Sequence, residues 1–283
     1  MARVLCVGIA TLDIINRVSH YPAEDSEVRA RAHAQRLGGN AANTACVLAQ
    51  LGEQVSWLGN LGDSHALAAA TFQRFGVDFS LAPSIPGGVM PTSCITLNEE
   101  NGSRSIVHYR DLPEYAAAHF AQQDLRAFEW VHFEGRAVDQ LGSMIERVRG
   151  NCGLPLSLEV EKPREGIEDL FEQADVLFFS HHYAREHGHA DAPSLLRSLP
   201  RGIAATCTWG EQGAWALDES GELLHVPAQA PARVVDTVGA GDVFNAAMVH
   251  GLCHGRGVAA SLQAAVALAS VQCGREGLEL KDE

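Results

Sequence analysis

The chain of 283 residues has no stretch long and apolar enough to cross a bilayer as a helix, and no basic segment precedes its first apolar run. That opening, Met1-Ala2-Arg3-Val4-Leu5-Cys6-Val7-Gly8, is too short for an export signal and reads as a first strand. Paired cysteines are missing as well: seven are scattered along the chain, odd in number and without a C-x-x-C spacing. This argues against a disulfide framework or a thiolate zinc site and implies reduced, mostly buried thiols in a cytoplasm. Positive charge is scarce. With 21 Lys and Arg against 35 Asp and Glu, the net charge is -14, and no basic stripe gathers what there is. Such a field repels nucleic acid, and nucleotides too, so a phosphate ligand needs local amides, a few placed cations and a divalent metal. No repeat or low-complexity segment occurs.

What is present is a 46% hydrophobic chain, enough to bury a large core. Val4 to Val7, Val55 to Gly59, Val131 to Gly135, Leu156 to Glu161, Val176 to Phe179 and Ala204 to Trp209 have strand composition. Helical segments such as His65 to Phe75 and Val258 to Cys273 lie among them, an alternation that predicts βαβ units and a parallel sheet. Between Pro86 and Tyr109 the rhythm changes. Thr92 to Leu97 and Arg104 to Tyr109 flank an Asn101-Gly102 hairpin signal, and Val28 to Gln35 is a candidate third strand. This small sheet outside the body needs cover for its other face, from a ligand or a second copy of itself.

The stretch Val234 to Asn245 carries the strongest chemistry. Two β-branched residues enter a turn, Gly239-Ala240-Gly241 follow, and Val243 to Gly251 reads as a helix. Glycines let backbone approach a ligand closely, and free amides at a helix start favour an anion there. Asp242, planted in that anion site, suits a base that takes a proton from a hydroxyl attacking a phosphoryl group. An ordinary capping carboxylate is the alternative.

A second glycine pair, Gly38-Gly39, opens an alanine-rich helix on which Asn40 and Asn43 share one face, offering paired amides to a polyhydroxylated ligand. Helix capping accounts for Asn40 alone. Asp13 follows the first strand, where open α/β sheets bind ligands; a turn role is its alternative. Gly210-Glu211-Gln212-Gly213 after Trp209 permits close backbone approach or a hairpin. His181, His182, His187 and His189 lack a completing thiolate or spaced carboxylate, so they read as solvated loop residues rather than metal ligands. His250 and His254 receive the same reading.

Three motifs, Gly38-Gly39-Asn40-Ala41-Ala42-Asn43, Thr208-Trp209-Gly210-Glu211-Gln212-Gly213 and Asp236-Thr237-Val238-Gly239-Ala240-Gly241-Asp242, stand in natural order and spacing. Through them nearly the whole chain resembles the ribokinase-like (PfkB) family of carbohydrate kinases. It is most similar to the ketohexokinase branch, at Tyr21 to Glu27, Gly102-Ser103-Arg104, Glu134-Gly135-Arg136 and Glu159 to Glu165. The resemblance implies one kinase domain over 1–283. Its body would be a Rossmann-type three-layer α/β/α structure with a β-lid built from about 22–37 and 86–112.

It further implies transfer of the γ-phosphoryl group of ATP to a ketohexose, fructose to fructose 1-phosphate. Another sugar, sugar derivative or nucleoside is the alternative substrate, and a catalytically silent sugar- or nucleotide-binding regulator the alternative class. By matched position Asp242 is the base and Gly239, Ala240 and Gly241 form the anion hole. Asp13, Gly39, Asn40, Asn43 and Arg104 bind sugar, and Asp25 does so from a partner's lid in a homodimer. Trp209, Gly210, Glu211 and Gly213 line the nucleotide site together with Gly239 and Gly241. Mg2+ accompanies ATP, with Glu159 and Glu161 holding it through water, and activation by K+ is left open. One departure stands out: Ser180-His181-His182-Tyr183 replaces the common N-x-x-E motif, and ketohexokinases carry a lysine where this chain has His181.

Overall fold

The computed structural model describes residues 1–101, 103–229 and 231–280. Short apolar runs between turns collect into an eight-stranded sheet in the order β14-β13-β12-β11-β10-β9-β1-β4. Its parallel part is β1 (Arg3–Val7), β4 (Gln54–Leu58), β9 (Trp130–Glu134), β10 (Leu156–Val160), β11 (Val176–Ser180) and β12 (Ala204–Thr208). The antiparallel hairpin β13 (Ala214–Leu217) and β14 (Leu223–Val226) closes one edge.

Side chains alternate across the sheet, so each central strand feeds two cores. Val4 and Cys6 of β1 join Trp57 on one face, against α1 (Asn40–Gln50), α7 (Ala240–Cys253) and α8 (Val258–Gln272). Leu5 and Val7 join Phe133 and Leu158 on the other, against α4 (Val138–Arg147), α5 (His181–Glu186) and α6 (Ala192–Ser198). Trp57 and Phe133 are fully buried, each a contribution of about 1.5–3 kcal/mol. Helix α2 (Ala66–Phe75) packs Phe72 on Trp57, and the short α3 (Ala117–Phe120) buries Phe120 beside Phe133. Among the described residues no helix is long and apolar enough to cross a membrane.

The second sheet has four strands in the order β3-β2-β7-β8. These are β2 (Thr11–Val18), β3 (Ala32–Gly38), β7 (Thr92–Asn98) and β8 (Arg104–Tyr109); the two-residue strands β5 (Leu61–Gly62) and β6 (Ser84–Ile85) pair separately. The sheet is larger than its sequence pattern predicts. Thr11 to Val18 forms a central strand, and Asp13 lies within it rather than on a free loop. Strand β3 begins four residues later than the predicted Val28 and runs to Gly38. The hairpin between β7 and β8 closes by Asn98 N–H donating to Ser103 O at 2.9 Å; Gly102 of its predicted tip lies outside the described residues. Every residue of β8 is exposed, including Ile106, Val107 and Tyr109.

Two histidine readings change. His181 and His182 begin α5 instead of lying in a loop. His250 and His254 are not freely solvated: they sit in the last turn and at the cap of α7, and both contact the buried carboxylate of Glu53.

Candidate active site

The carboxyl ends of the parallel strands share one edge with the N-termini of α1 and α7, the place where doubly wound sheets bind ligands. Gly39 makes this approach possible. It precedes α1 at φ 98°, and a Cβ there would stand 2.3 Å from Ile9 O. The same holds one residue earlier, where a Cβ on Gly38 would strike the Asp13 carboxylate at 2.1 Å.

Helix α7 starts at Ala240, so Asp242 occupies its first turn. Gly239 caps it at φ 80°, Val243 N–H closes the turn on Gly239 O at 2.9 Å, and the amides of Gly241 and Asp242 have no intrahelical acceptor. A Cβ on Gly241 would meet nothing within 4 Å, so that face of the turn is open. The loop before it is braced. Asp236 accepts from Val238 N–H at 2.9 Å and pairs with Arg36 of β3 at 2.7 Å, while Arg104 of β8 donates to Thr237 Oγ1 at 3.4 Å. Two arginines of the small sheet thus hold the loop that leads into α7.

Asn43 and Asp242 meet across 199 residues, Asn43 Nδ2 donating to Asp242 Oδ2 at 2.7 Å with both side chains buried. Asn43 Oδ1 is buried without a donor among the described residues, leaving its acceptor capacity unused. Asn40 donates to Glu159 Oε1 at 3.1 Å and Glu161 Oε2 at 3.3 Å, and Asn245 donates to the same Glu159 oxygen at 3.0 Å. Glu159 Oε2 is buried without a donor among the described residues. Glu134 stands opposite Glu159 in register and accepts from Ile9 N–H at 2.9 Å. Asp13 accepts from Thr11 Oγ1 at 2.8 Å.

This concentration of acids in low dielectric moves their protonation. Burial pushes Asp242 well above the usual carboxylate range, opposed by the Asn43 hydrogen bond and reinforced by Glu161, Glu134 and Asp13. Burial raises Glu159 likewise, with Asp242, Glu134 and Glu161 adding to it. Asp13 is raised by burial, against its hydrogen bonds to Thr11 and Ser93. An oxygen-rich edge with one orphaned carboxylate oxygen fits a hard cation.

Four of the predicted nucleotide residues follow β12, and the other two, Gly239 and Gly241, lie at the start of α7. Trp209 is buried, with His181 6.0 Å away ring to ring and the Arg185 guanidinium 5.4 Å from its centroid. Gly210 and Glu211 are exposed in a 3₁₀ turn. Gly213 has a structural reason: at φ 88° a Cβ would collide with Val226 O at 2.1 Å, so its close approach is to β14. Burial lowers the pKa of His181, with Arg185, His182 and Arg104 adding to the effect, so its ring is neutral at pH 7. Asp25 sits exposed on the β2–β3 loop at φ 56° and makes no hydrogen bond or ion pair with the described residues.

Glu134, Asn245, Arg36 and Arg185 complete the neighbourhood without having been predicted to act. Asn245 was findable, since it lies three residues after Asp242 on one helix face. Arg36 reaches Asp236 across 200 residues, and no local pattern announces that contact.

A family model described as pfkB family carbohydrate kinase matches residues 1–282. The chain is 38% identical to ketohexokinase of Mus musculus, covering 98% of each chain. It is 27% identical to an ATP-dependent ribose-1-phosphate kinase of Halopiger xanaduensis, over 98% of this chain and 94% of that one. Among solved structures, a ribokinase of Cryptococcus neoformans in complex with ADP superposes with a TM-score of 0.82 at 18% identity, covering 98% and 96%. The fold is therefore ribokinase-like α/β, and the D-T-x-G-A-G-D turn with its buried Asp242 belongs to a chain matched over residues 1–282. The protein belongs to the pfkB family of carbohydrate kinases: it is a sugar kinase, a phosphotransferase with an alcohol group as acceptor that binds a sugar and ATP.

Proposed function

We propose that the chain is a ketohexose kinase converting fructose to fructose 1-phosphate with MgATP. The observation that carries this reading is the Asn43–Asp242 pair. A buried carboxylate, held by one end of an amide, lies beside the unpartnered oxygen at the amide's other end. One sugar hydroxyl donating to that oxygen would hold the sugar, and a neighbouring hydroxyl donating to Asp242 would lose its proton to the carboxylate as it attacks phosphorus. The likeness to ketohexokinase at 38% identity supports a ketohexose over the pentoses of more distant relatives.

In this reading Asp13, Gly39, Asn40, Asn43 and Arg104 hold the sugar. The amides of Gly239, Ala240 and Gly241 receive the negative charge that builds on the transferring group. Glu159 and Glu161 would hold Mg2+ through its water shell, with the Glu159 oxygen that lacks a donor as the anchor. When bound, the ion neutralises phosphate charge that this acidic edge would otherwise repel. Trp209, Gly210, Glu211 and Gly213 border the adenine nucleotide. Because His181 is neutral, Arg185 one turn along α5 and Arg104 supply positive charge there. The small sheet acts as a lid whose two arginines couple sugar closure to the anion-hole loop, excluding water that would hydrolyse ATP. A homodimer covers the exposed β8 face and brings Asp25 of the partner subunit to the sugar.

The test is ADP release with MgATP against fructose, tagatose, psicose, ribose, ribose 1-phosphate and adenosine, followed by NMR of the product. Highest kcat/KM on fructose with phosphate on O1 supports the reading. Turnover confined to ribose or ribose 1-phosphate would remove the ketohexose assignment.

A further inference from the structure

At the opposite end of α7 from Asp242 a second set of donor atoms converges. Glu53, in the turn between α1 and β4, has a side chain only 1% exposed. Its Oε1 receives His250 Nδ1 at 2.6 Å and His254 Nε2 at 2.7 Å, and its Oε2 accepts from Ala2 N–H at 2.5 Å. The two rings meet edge to face with centroids 4.9 Å apart, and one ligand atom from each of the three residues lies within 4.8 Å of the others. We propose that Glu53, His250 and His254 form a binding site for a borderline divalent cation, with Zn2+ the best chemical match, that anchors the far end of the helix carrying Asp242.

The donor set decides the class of ion. Two imidazoles and one carboxylate suit Zn2+, Co2+ or Ni2+, whereas Mg2+ requires an oxygen shell. The site is therefore distinct from the nucleotide's cation. Spacing by four residues puts both rings on one face of a helix end, and Glu53 meets them from a separate element. Both rings now direct ring nitrogens at a single oxygen. A cation takes the place of the intervening protons, each neutral ring keeping its one proton on the nitrogen turned away. Tetrahedral bonds of about 2.0–2.2 Å set donors about 3.3 Å apart, so each ring withdraws from Glu53 by well under 1 Å. The rings have room for this, being 21% and 36% exposed at the side chain, and the open side at His254 leaves a fourth position for water.

Glu53 is ready for the role. Its side chain is buried and already turned toward both rings. The Ala2 hydrogen bond also fixes the other oxygen, so a bound ion would join the start of β1, the α1–β4 turn and the end of α7.

The experiment titrates Zn2+ alone into chelator-stripped full-length protein against a chromophoric indicator, and records visible spectra with Co2+. One tight equivalent should appear in the wild type and persist in Asp242→Asn. His254→Ala, at the exposed helix cap, should weaken it by more than about 100-fold, beyond the 10–100-fold lost with an outer-shell partner. Co2+ should give tetrahedral d–d bands without sulfur charge transfer. Zn2+ should raise the unfolding temperature of the wild type and leave that of His254→Ala unmoved. His250→Gln, which keeps a hydrogen-bonding side chain on Glu53, serves as the second variant. Equal Zn2+ affinity in wild type and both variants, or Co2+ spectra without those bands, would overturn the proposal and leave the three residues a hydrogen-bonded cluster only.

Discussion

Ionising Asp242 sets a charge beside Glu161, Glu134 and Asp13 in a buried edge, and the sign of that cost predicts how stability depends on pH. Its folded pKa lies above the ordinary 3.8, so between those values the native state binds more protons than the unfolded chain and stability falls as pH rises. Asp242→Asn should therefore raise the melting temperature of the ligand-free protein more at pH 7 than near about pH 4, where the carboxyl is largely protonated in the fold. Calorimetry at the two pH values checks this, and a gain confined to acid pH would contradict it. A second residue prediction concerns the nucleotide. His181→Lys places a permanent cation where the imidazole is neutral and should lower KM for ATP by roughly fivefold with kcat little changed, read from initial rates. Asp242 was legible because glycines, anion site and carboxylate are contiguous. Its proton affinity was not, since Glu134, Glu161 and Asp13 reach it only through the fold.

At the scale of elements, the Arg36–Asp236 pair joins β3 to the loop that leads into α7. Asp236 is buried and Arg36 partly exposed, so Arg36→Ala leaves a carboxylate short of its counter-ion at a cost of about 1–3 kcal/mol after solvent screening. Urea unfolding should report that loss, and KM for the sugar should rise more than kcat falls. An unchanged KM would uncouple the small sheet from the loop. Most parallel strands could be read from the sequence because they are short buried apolar runs between turns. Strand β2 could not, since Asp13, Asn16 and Arg17 break its alternation and its partners β3 and β7 are non-local. Helix α7 begins three residues before its apolar pattern because Ala240, Gly241 and Asp242 read as turn while already helical.

Among the described residues, edge strand β8 of the small sheet is exposed on both faces. Val107 and Tyr109, 73% and 59% exposed, share one face of β8 and form an apolar strip that a second copy would cover, while Ile106, 51% exposed, lies on the opposite face. Val107→Glu should shift a dimer to monomer in analytical ultracentrifugation and raise KM for the sugar, because the monomer loses Asp25 of the partner subunit. A variant that stays monodisperse at the wild-type mass, with unchanged KM, would refute the dimer reading. The exposed hairpin was visible in the sequence pattern. The Glu53–His250–His254 cluster was not, because a lone carboxylate about 200 residues away completes what the helix spacing only begins.

Whether Asp242 acts as the base for phosphoryl transfer to a ketohexose is decided by single-turnover quenched-flow with fructose and MgATP. Wild type and Asp242→Asn are compared, with fructose binding measured separately by calorimetry. Transfer should slow by about 100- to 10,000-fold while fructose affinity stays within a few-fold. Transfer in the variant within about tenfold of wild type would contradict that role.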